Sequence, residues 1–187
     1  MIKLVGFSGN MGCGKSSAIE VLRNLIDGHN VNTKVKLVKF AGPLYDMQEY
    51  IYNRISGVYT RPENFVKDRK LLQWLGTDWG RQTVSESIWV DIWKSDVEIA
   101  LAKGYTVVCD DVRFDNEAEA IKSIGGKLVL ITSDNNLDRI TTNTGIKSHA
   151  SEMGINKSLV DKHVANDGSY DEYVQKLETM FESLNLK

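Results

Sequence analysis

The sequence predicts an α/β fold built on a parallel sheet. Three observations lead there. Short apolar runs alternate with amphipathic segments of helical period. The first run feeds a glycine-rich turn that opens a helix. Finally, 187 residues with 42% hydrophobic and 26% charged side chains suit one soluble domain with a buried core.

In chain order, Ile2–Phe7 reads as a buried strand, and Ser16–Asp27 as a helix with Ala18, Val21, Leu22 and Leu25 on one face. Val35–Phe40 is the second strand, and Pro43–Ser56 a helix with proline at its start. Asn64–Trp79 and Glu86–Lys103 read as two further helices, and Tyr105–Asp110 as a strand. A helix over Asn116–Ile124 has Asn116 as its cap, with Glu119 three positions on. Lys127–Thr132 and His163–Ala165 are the last strands, and Tyr170–Leu184 the closing helix. Two stretches break the rhythm: a helical insertion at 43–104 and a polar segment at 133–153.

The net charge of −2 argues against a nucleic-acid partner, because no basic field is available to hold a phosphodiester backbone. No apolar run approaches the ~20 residues of a membrane span, and the N-terminus reads as a strand instead of a signal peptide. The two cysteines, Cys13 and Cys109, suggest no disulfide framework and fit a reducing, cytoplasmic setting. A homodimer stays open, since oligomeric state is hidden at this level.

Gly9-Asn10-Met11-Gly12-Cys13-Gly14-Lys15-Ser16 matches the pattern G-x-x-x-x-G-K-S/T between a strand and a helix. Gly9, Gly12 and Gly14 let the backbone bend so that amides from Cys13 through Ser17 converge on phosphate oxygens. The positive end of the following helix adds to that attraction. Lys15 would reach the β- and γ-phosphates of ATP, and the Ser16 hydroxyl would ligate Mg2+. Cys13 reads as a small filler rather than a nucleophile. The guanine signature N-K-x-D is missing, since Asn156-Lys157 is followed by Ser158-Leu159.

Asp110 and Asp111 end a strand, where ligands of open α/β sheets sit. One of them, with Asp110 preferred, would orient the magnesium shell. The other would face an acceptor, and a turn or capping role remains the alternative. Arg69, Gln73 and Gly76 fall at i, i+4 and i+7 and share one face of a regular helix, with Lys70 and Thr77 beside it. Leu71, Leu72, Leu75 and Trp79 lie opposite. An arginine fork suits a phosphate and an amide suits a base edge, although a solvated face explains the spacing equally well. Trp89 and Trp93 are spaced as core residues, or one of them walls a base.

These blocks resemble the phage-type deoxynucleoside monophosphate kinases over nearly the whole chain. The match runs from the glycine loop through Phe40-Ala41-Gly42-Pro43-Leu44, Arg69–Thr77, Trp89, Asp111–Glu117 and His149-Ala150-Ser151-Glu152 to Asn166-Asp167-Gly168-Ser169. Arg69–Thr77 and Asp111–Glu117 are its most specific parts. The resemblance implies a single three-layer P-loop NTPase domain similar to adenylate kinase, with a five-stranded parallel sheet in the order 2-3-1-4-5. It implies that 43–104 binds the monophosphate and that 133–153 is a lid. Arg69, Lys70, Gln73, Gly76, Thr77, Trp89, Asp111, Arg113 and Glu117 match the monophosphate site, and Asn166 and Gly168 the turn beside the ATP base. The reaction implied is ATP + dNMP → ADP + dNDP, in the cytoplasm of an infected bacterium.

Lys15, Arg113 and Arg139 are the catalytic candidates. Arg139 is the only arginine in 133–153, where lids usually supply several, and His149 there reads better as a capping or packing residue. A phosphate acceptor is already anionic at neutral pH, with a second pKa near ~6, and needs no general base. Another small-molecule kinase, acting on dephospho-CoA or a nucleoside, and a nucleotide-binding switch remain alternatives.

Overall fold

The computed structural model describes residues 2–28, 34–59, 67–133 and 155–185. Five parallel strands form one sheet: β1 (Leu4–Ser8), β2 (Val35–Leu37), β3 (Thr106–Cys109), β4 (Lys127–Thr132) and β5 (Lys162–Ala165). Their order is β2-β3-β1-β4-β5, as expected. β1 is central, with Val5 in register with Val108 of β3 and Lys127 of β4.

The helices are α1 (Lys15–Asp27), α2 (Gly42–Ile55), α3 (Arg69–Gln73), α4 (Ile88–Ala102), α5 (Asp115–Ser123) and α6 (Tyr170–Ser183). A π-helix, Trp74–Val84, continues α3, and a short 3-10 turn, Lys157–Leu159, precedes β5. No helix among the described residues is long and apolar enough to cross a membrane.

Successive strand residues face opposite sides of the sheet, and both sides are covered over the central strands, which are mostly apolar, while the edge strands β2 and β5 expose Lys36, Lys162 and His163. Val5, Phe7, Val108 and Val129 pack under α1 and α6, against Leu22, Tyr173, Leu177 and Phe181. Leu4, Val107 and Leu128 pack under α4 and α5, against Trp93, Val97 and Ile121. Trp93 stacks on Phe40 at 4.3 Å and donates its indole N–H to the Val38 carbonyl at 3.1 Å. The sequence placed α4 inside the 43–104 insertion. Its Val90, Trp93, Val97 and Ala100 are buried in the core beside the sheet.

Several boundaries differ from expectation for visible reasons. β2 ends at Leu37 instead of Phe40, because the amides of Phe40 and Ala41 turn from the ladder toward the Asp111 carboxylate. Leu25 is exposed, while Ile19 joins Ala18, Val21 and Leu22 in the core. α5 starts one residue early and is capped by neither Asn116 nor Glu119. Glu117 takes that place, accepting from the amides of Arg113 (2.8 Å) and Phe114 (3.2 Å).

The largest departure lies in the predicted helix Asn64–Trp79. Asn64 is outside the described residues. The described helix starts at Arg69, where Asp68 caps it by accepting from the Leu71 amide at 3.0 Å. It then widens at Trp74 into i→i+5 bonding, as in the 2.9 Å bond from the Ser85 amide to the Gly80 carbonyl, and runs to Val84. Arg69 and Gln73 keep α-helical spacing, and Gly76 lies past the change of period.

Candidate functional site

The carboxyl ends of β1, β2 and β3 and the start of α6 converge around the glycine loop. β1 delivers the chain to Gly9, and three loop glycines hold positive φ: Gly9 (141°), Gly12 (81°) and Gly14 (109°). At Gly14 the reason is steric as well as conformational, since a Cβ there would sit 2.8 Å from the Asn166 amide nitrogen and 2.9 Å from the Tyr173 hydroxyl. α1 starts directly after it with no side-chain cap, so the first-turn amides stay available to an anion. The Lys15 ammonium folds back over the loop and donates to the carbonyls of Gly9 (2.7 Å) and Asn10 (2.8 Å). Phosphate oxygens placed there would compete for the same protons. Cys13 is 1% exposed and packs as the small filler expected. Ser16 and Gly12 are exposed at the loop surface, and Ser17 is half-buried.

Beside the loop, Asp110 leaves β3 next to Lys39, which leaves β2. The Lys39 ammonium lies 3.2 Å from each carboxylate oxygen of Asp110. Asp110 Oδ1 is buried yet accepts no hydrogen bond among the described residues. That spare acceptor is the feature a hydrated magnesium ion can use. No cluster of three His, Cys, Asp or Glu exists among the described residues.

Asp111 does different work from its neighbour. Its carboxylate accepts from the amides of Phe40 (3.0 Å) and Ala41 (2.9 Å), just before α2, and from the Cys109 thiol at 3.2 Å. Burial, reinforced by the Asp111 charge, pushes that thiol well above the usual range.

Glu117 is 3% exposed and fully engaged. One oxygen accepts from the Arg113 and Phe114 amides, and the other lies 3.0 Å from the Arg81 guanidinium. Burial pushes its pKa up to about 7, against the pull of those two amides and of Arg81. The Arg81 guanidinium also lies over the Phe114 ring, 4.3 Å from its centroid.

Arg69, Lys70, Gln73, Thr77 and Arg113 are exposed, and Gly76 is half-buried. The side chains of Arg69 and Arg113 form no ion pair with another described residue. Trp89 is 2% exposed, so its ring is packed rather than presented to solvent. It donates its indole N–H to the Gly76 carbonyl at 2.8 Å. The Asn166 amide donates to the Cys13 carbonyl at 3.1 Å. A Cβ at Gly168 would meet the Glu172 carboxylate that caps α6, which would have to shift. Arg139 and His149 lie outside the described residues.

Sequence reasoning missed Lys39, Gly80, Arg81 and Tyr173. Lys39 had a usable signal, its place near the carboxyl end of a predicted strand. Arg81 and Gly80 fell beyond the predicted helix end, and Tyr173 lay inside the predicted last helix with no motif to single it out.

Three known proteins frame this geometry. The deoxynucleoside-5'-monophosphate kinase of Escherichia phage T5 is 32% identical over 127 residues, covering 61% of this chain and 44% of that protein. The deoxynucleotide monophosphate kinase of Enterobacteria phage T4 is 25% identical over 134 residues, covering 71% of this chain and 53% of that protein. The chain thus spans about half the length of these two relatives. Among solved structures, the thymidylate kinase of Candida albicans superposes with a TM-score of 0.53 at 13% identity, covering 99% of this chain and 93% of that one, a likeness of fold. The model of the deoxynucleotide monophosphate kinase family matches residues 9–177, from the glycine loop into α6, and this chain belongs to that family.

Proposed function

We propose that the chain transfers the γ-phosphoryl group of ATP to a deoxynucleoside monophosphate, yielding ADP and the diphosphate. The observation that carries the choice of acceptor is the commitment of the two carboxylates on its side of the site. Both oxygens of Asp111 accept backbone amides, and both oxygens of Glu117 are held by amides or by Arg81. Neither is free to take a proton from a sugar hydroxyl. Arg69 and Arg113, by contrast, form no ion pair among the described residues and suit an anion. A phosphate acceptor, already ionised, needs the cations and not the base.

In this reading the loop amides and Lys15 hold the β- and γ-phosphates, and Ser16 and Asp110 hold Mg2+ directly or through water. Bound there, Mg2+ neutralises charge on the phosphate oxygens. Arg69, Lys70 and Arg113 hold the acceptor phosphate in line with the γ-phosphate, and Gln73 and Thr77 face its sugar and base. Trp89 acts through Gly76, fixing the backbone beneath the acceptor. The inserted α2, α3 and π-helix are the monophosphate-binding part. We assign lid closure over the transferring group to 133–153, with Arg139 its cation. Two buried free thiols fit a reducing compartment, and we place the reaction in the cytoplasm of a host bacterium.

A coupled ADP-release assay run separately with each dNMP, with nucleosides and with dephospho-CoA tests the proposal. Turnover with at least one dNMP and none with the hydroxyl acceptors is expected. Turnover only with a hydroxyl acceptor, or ATP hydrolysis without a phosphorylated product, overturns it.

A further inference from the structure

We propose that Tyr173 and Asn166 are positioning residues for the glycine loop, holding two of its peptides from outside so that the amides of Gly14 and Lys15 face the nucleotide phosphates. The inference rests on the ATP-binding reading of that loop and adds residues to which the reading gives no such role.

The argument starts from the peptide unit. A trans peptide is planar, and its N–H points opposite to its C=O. The Cys13 carbonyl belongs to the unit that carries the Gly14 N–H, and the Gly14 carbonyl to the unit that carries the Lys15 N–H. Asn166 donates to the first carbonyl at 3.1 Å, and the Tyr173 hydroxyl donates to the second at 3.0 Å. Each bond fixes its carbonyl toward β5 and α6, and so directs the attached N–H the other way. The Gly14 carbonyl also takes the first helical bond of α1, from Ala18 at 3.0 Å. An amide free to rotate away loses most of its attraction for a phosphate oxygen. Pre-aimed amides avoid that ordering cost on binding.

Both donors are themselves fixed. The Asn166 backbone amide bonds to the Thr132 carbonyl at 2.7 Å, which continues the pairing of β4 and β5. Tyr173 is 2% exposed within the core under α6. The start of α6 is set by a reciprocal cap in which the Ser169 amide donates to Glu172 at 2.8 Å and the Glu172 amide to the Ser169 hydroxyl at 3.3 Å. The fit leaves no slack, because any side chain at Gly14 would strike both donors. Burial raises the Tyr173 pKa above its ordinary value, so the phenol stays a donor throughout the working pH range.

Tyr173→Phe keeps the buried ring and removes only the O–H. Losing one neutral hydrogen bond should weaken ATP binding about fivefold to tenfold, read as Kd by calorimetric titration with ATP alone and as KM for ATP. The KM for the dNMP should stay within about twofold, because the acceptor side is untouched. Leu177→Val, on the same helix, serves as the structural control: a lower Tm with unchanged ATP affinity is expected. Should Tyr173→Phe lose its cooperative melt, Asn166→Ala makes the same test at the Cys13 carbonyl. Unchanged ATP affinity in these variants, or a parallel rise in both KM values, overturns the inference alone. Failure of the wild-type chain to bind ATP overturns the underlying ATP reading as well.

Discussion

Arg81 and Glu117 form an ion pair at 3.0 Å across 36 residues of sequence, joining the π-helix to the first turn of α5. The Glu117 side chain is 4% exposed and the Arg81 side chain 18%, so solvent screens the pair weakly. The same carboxylate holds the amides of Arg113 and Phe114. A single buried group therefore ties the backbone of a proposed acceptor-binding arginine to the inserted helices.

The raised pKa of Glu117, about 7 against an ordinary 4.5, gives the first prediction. Between those values the folded chain holds this proton more tightly than the unfolded chain does. Stability from this group is thus present below about pH 4.5, falls as pH rises toward 7, and levels off above it. The whole window is worth on the order of 3 kcal/mol. Glu117→Gln has no proton to exchange there, so its Tm should fall less than the wild type's between pH 5 and pH 8. Calorimetric melts across that range check this, and parallel Tm–pH curves for the two proteins would refute it.

Removing the cation makes the complementary case. Arg81→Met leaves the Glu117 carboxylate buried without its charge partner, which drives its pKa further up. The loss of stability should be about 2 kcal/mol or more at pH 8 and clearly smaller at pH 5.5, where the carboxyl is already protonated. Urea titrations at the two pH values measure the difference. An equal loss at both would mean that the guanidinium serves only through its packing over Phe114.

Gly80 carries a steric prediction. A Cβ there would lie 2.7 Å from the Leu75 carbonyl and would overlap the ring of Trp89, which is buried and tied to Gly76. Gly80→Ala should therefore cost about 2–4 kcal/mol through overpacking. Gly57→Ala, which meets nothing within 4 Å, should be neutral or slightly stabilising. Similar urea midpoints for the two variants would contradict the tight contact between the π-helix and α4.

These residues also show where sequence reading reaches its limit. The strands and the loop were legible because apolar runs and a glycine spacing are local signals, whereas the sheet order followed only from the resemblance to the kinase family. Leu72 and Leu75 were placed in the core by period alone, and they are buried. Gly76 was placed on the face of Arg69 by the same rule, which assumes a regular α-helix, and the period widens at Trp74. Nothing local announces that widening. Within the widened stretch the Gly76 carbonyl accepts from the indole of Trp89 on α4, a contact between distant elements. Asp111 was read as a candidate acceptor-side carboxylate or a capping one, and its partners are amides 70 and 71 residues away. Only the sheet brings those together. The tie from Tyr173 to Gly14 spans 159 residues and was invisible for the same reason.

On the acceptor side, Arg69→Ala and Arg113→Ala each remove an exposed cation with no ion pair among the described residues, so folding should be almost unchanged. Each should raise the KM for the dNMP about 10-fold to 100-fold, as expected for a charge-assisted phosphate contact of ~1.5–3 kcal/mol. The KM for ATP should move far less. Steady-state kinetics with one substrate varied at a time separates the two effects. A shared rise in both KM values would mark either arginine as structural.

Asp110 gives the last prediction, through the spare capacity of its Oδ1. Asp110→Asn keeps the shape of the side chain but removes the charge that both balances Lys39 and attracts a hydrated cation. If the carboxylate serves Mg2+, the variant should need about tenfold more magnesium to reach half-maximal rate, equivalent to ~1.4 kcal/mol of metal affinity. Lys39→Met tests the opposite sign. Without the competing ammonium, Asp110 is freer to engage the cation, and the half-saturating magnesium concentration should fall. Magnesium titrations at saturating ATP and dNMP read both shifts. Opposite movements fit one ion shared between the metal and Lys39, whereas equal rises in the two variants would show that the pair acts only as a brace between β2 and β3.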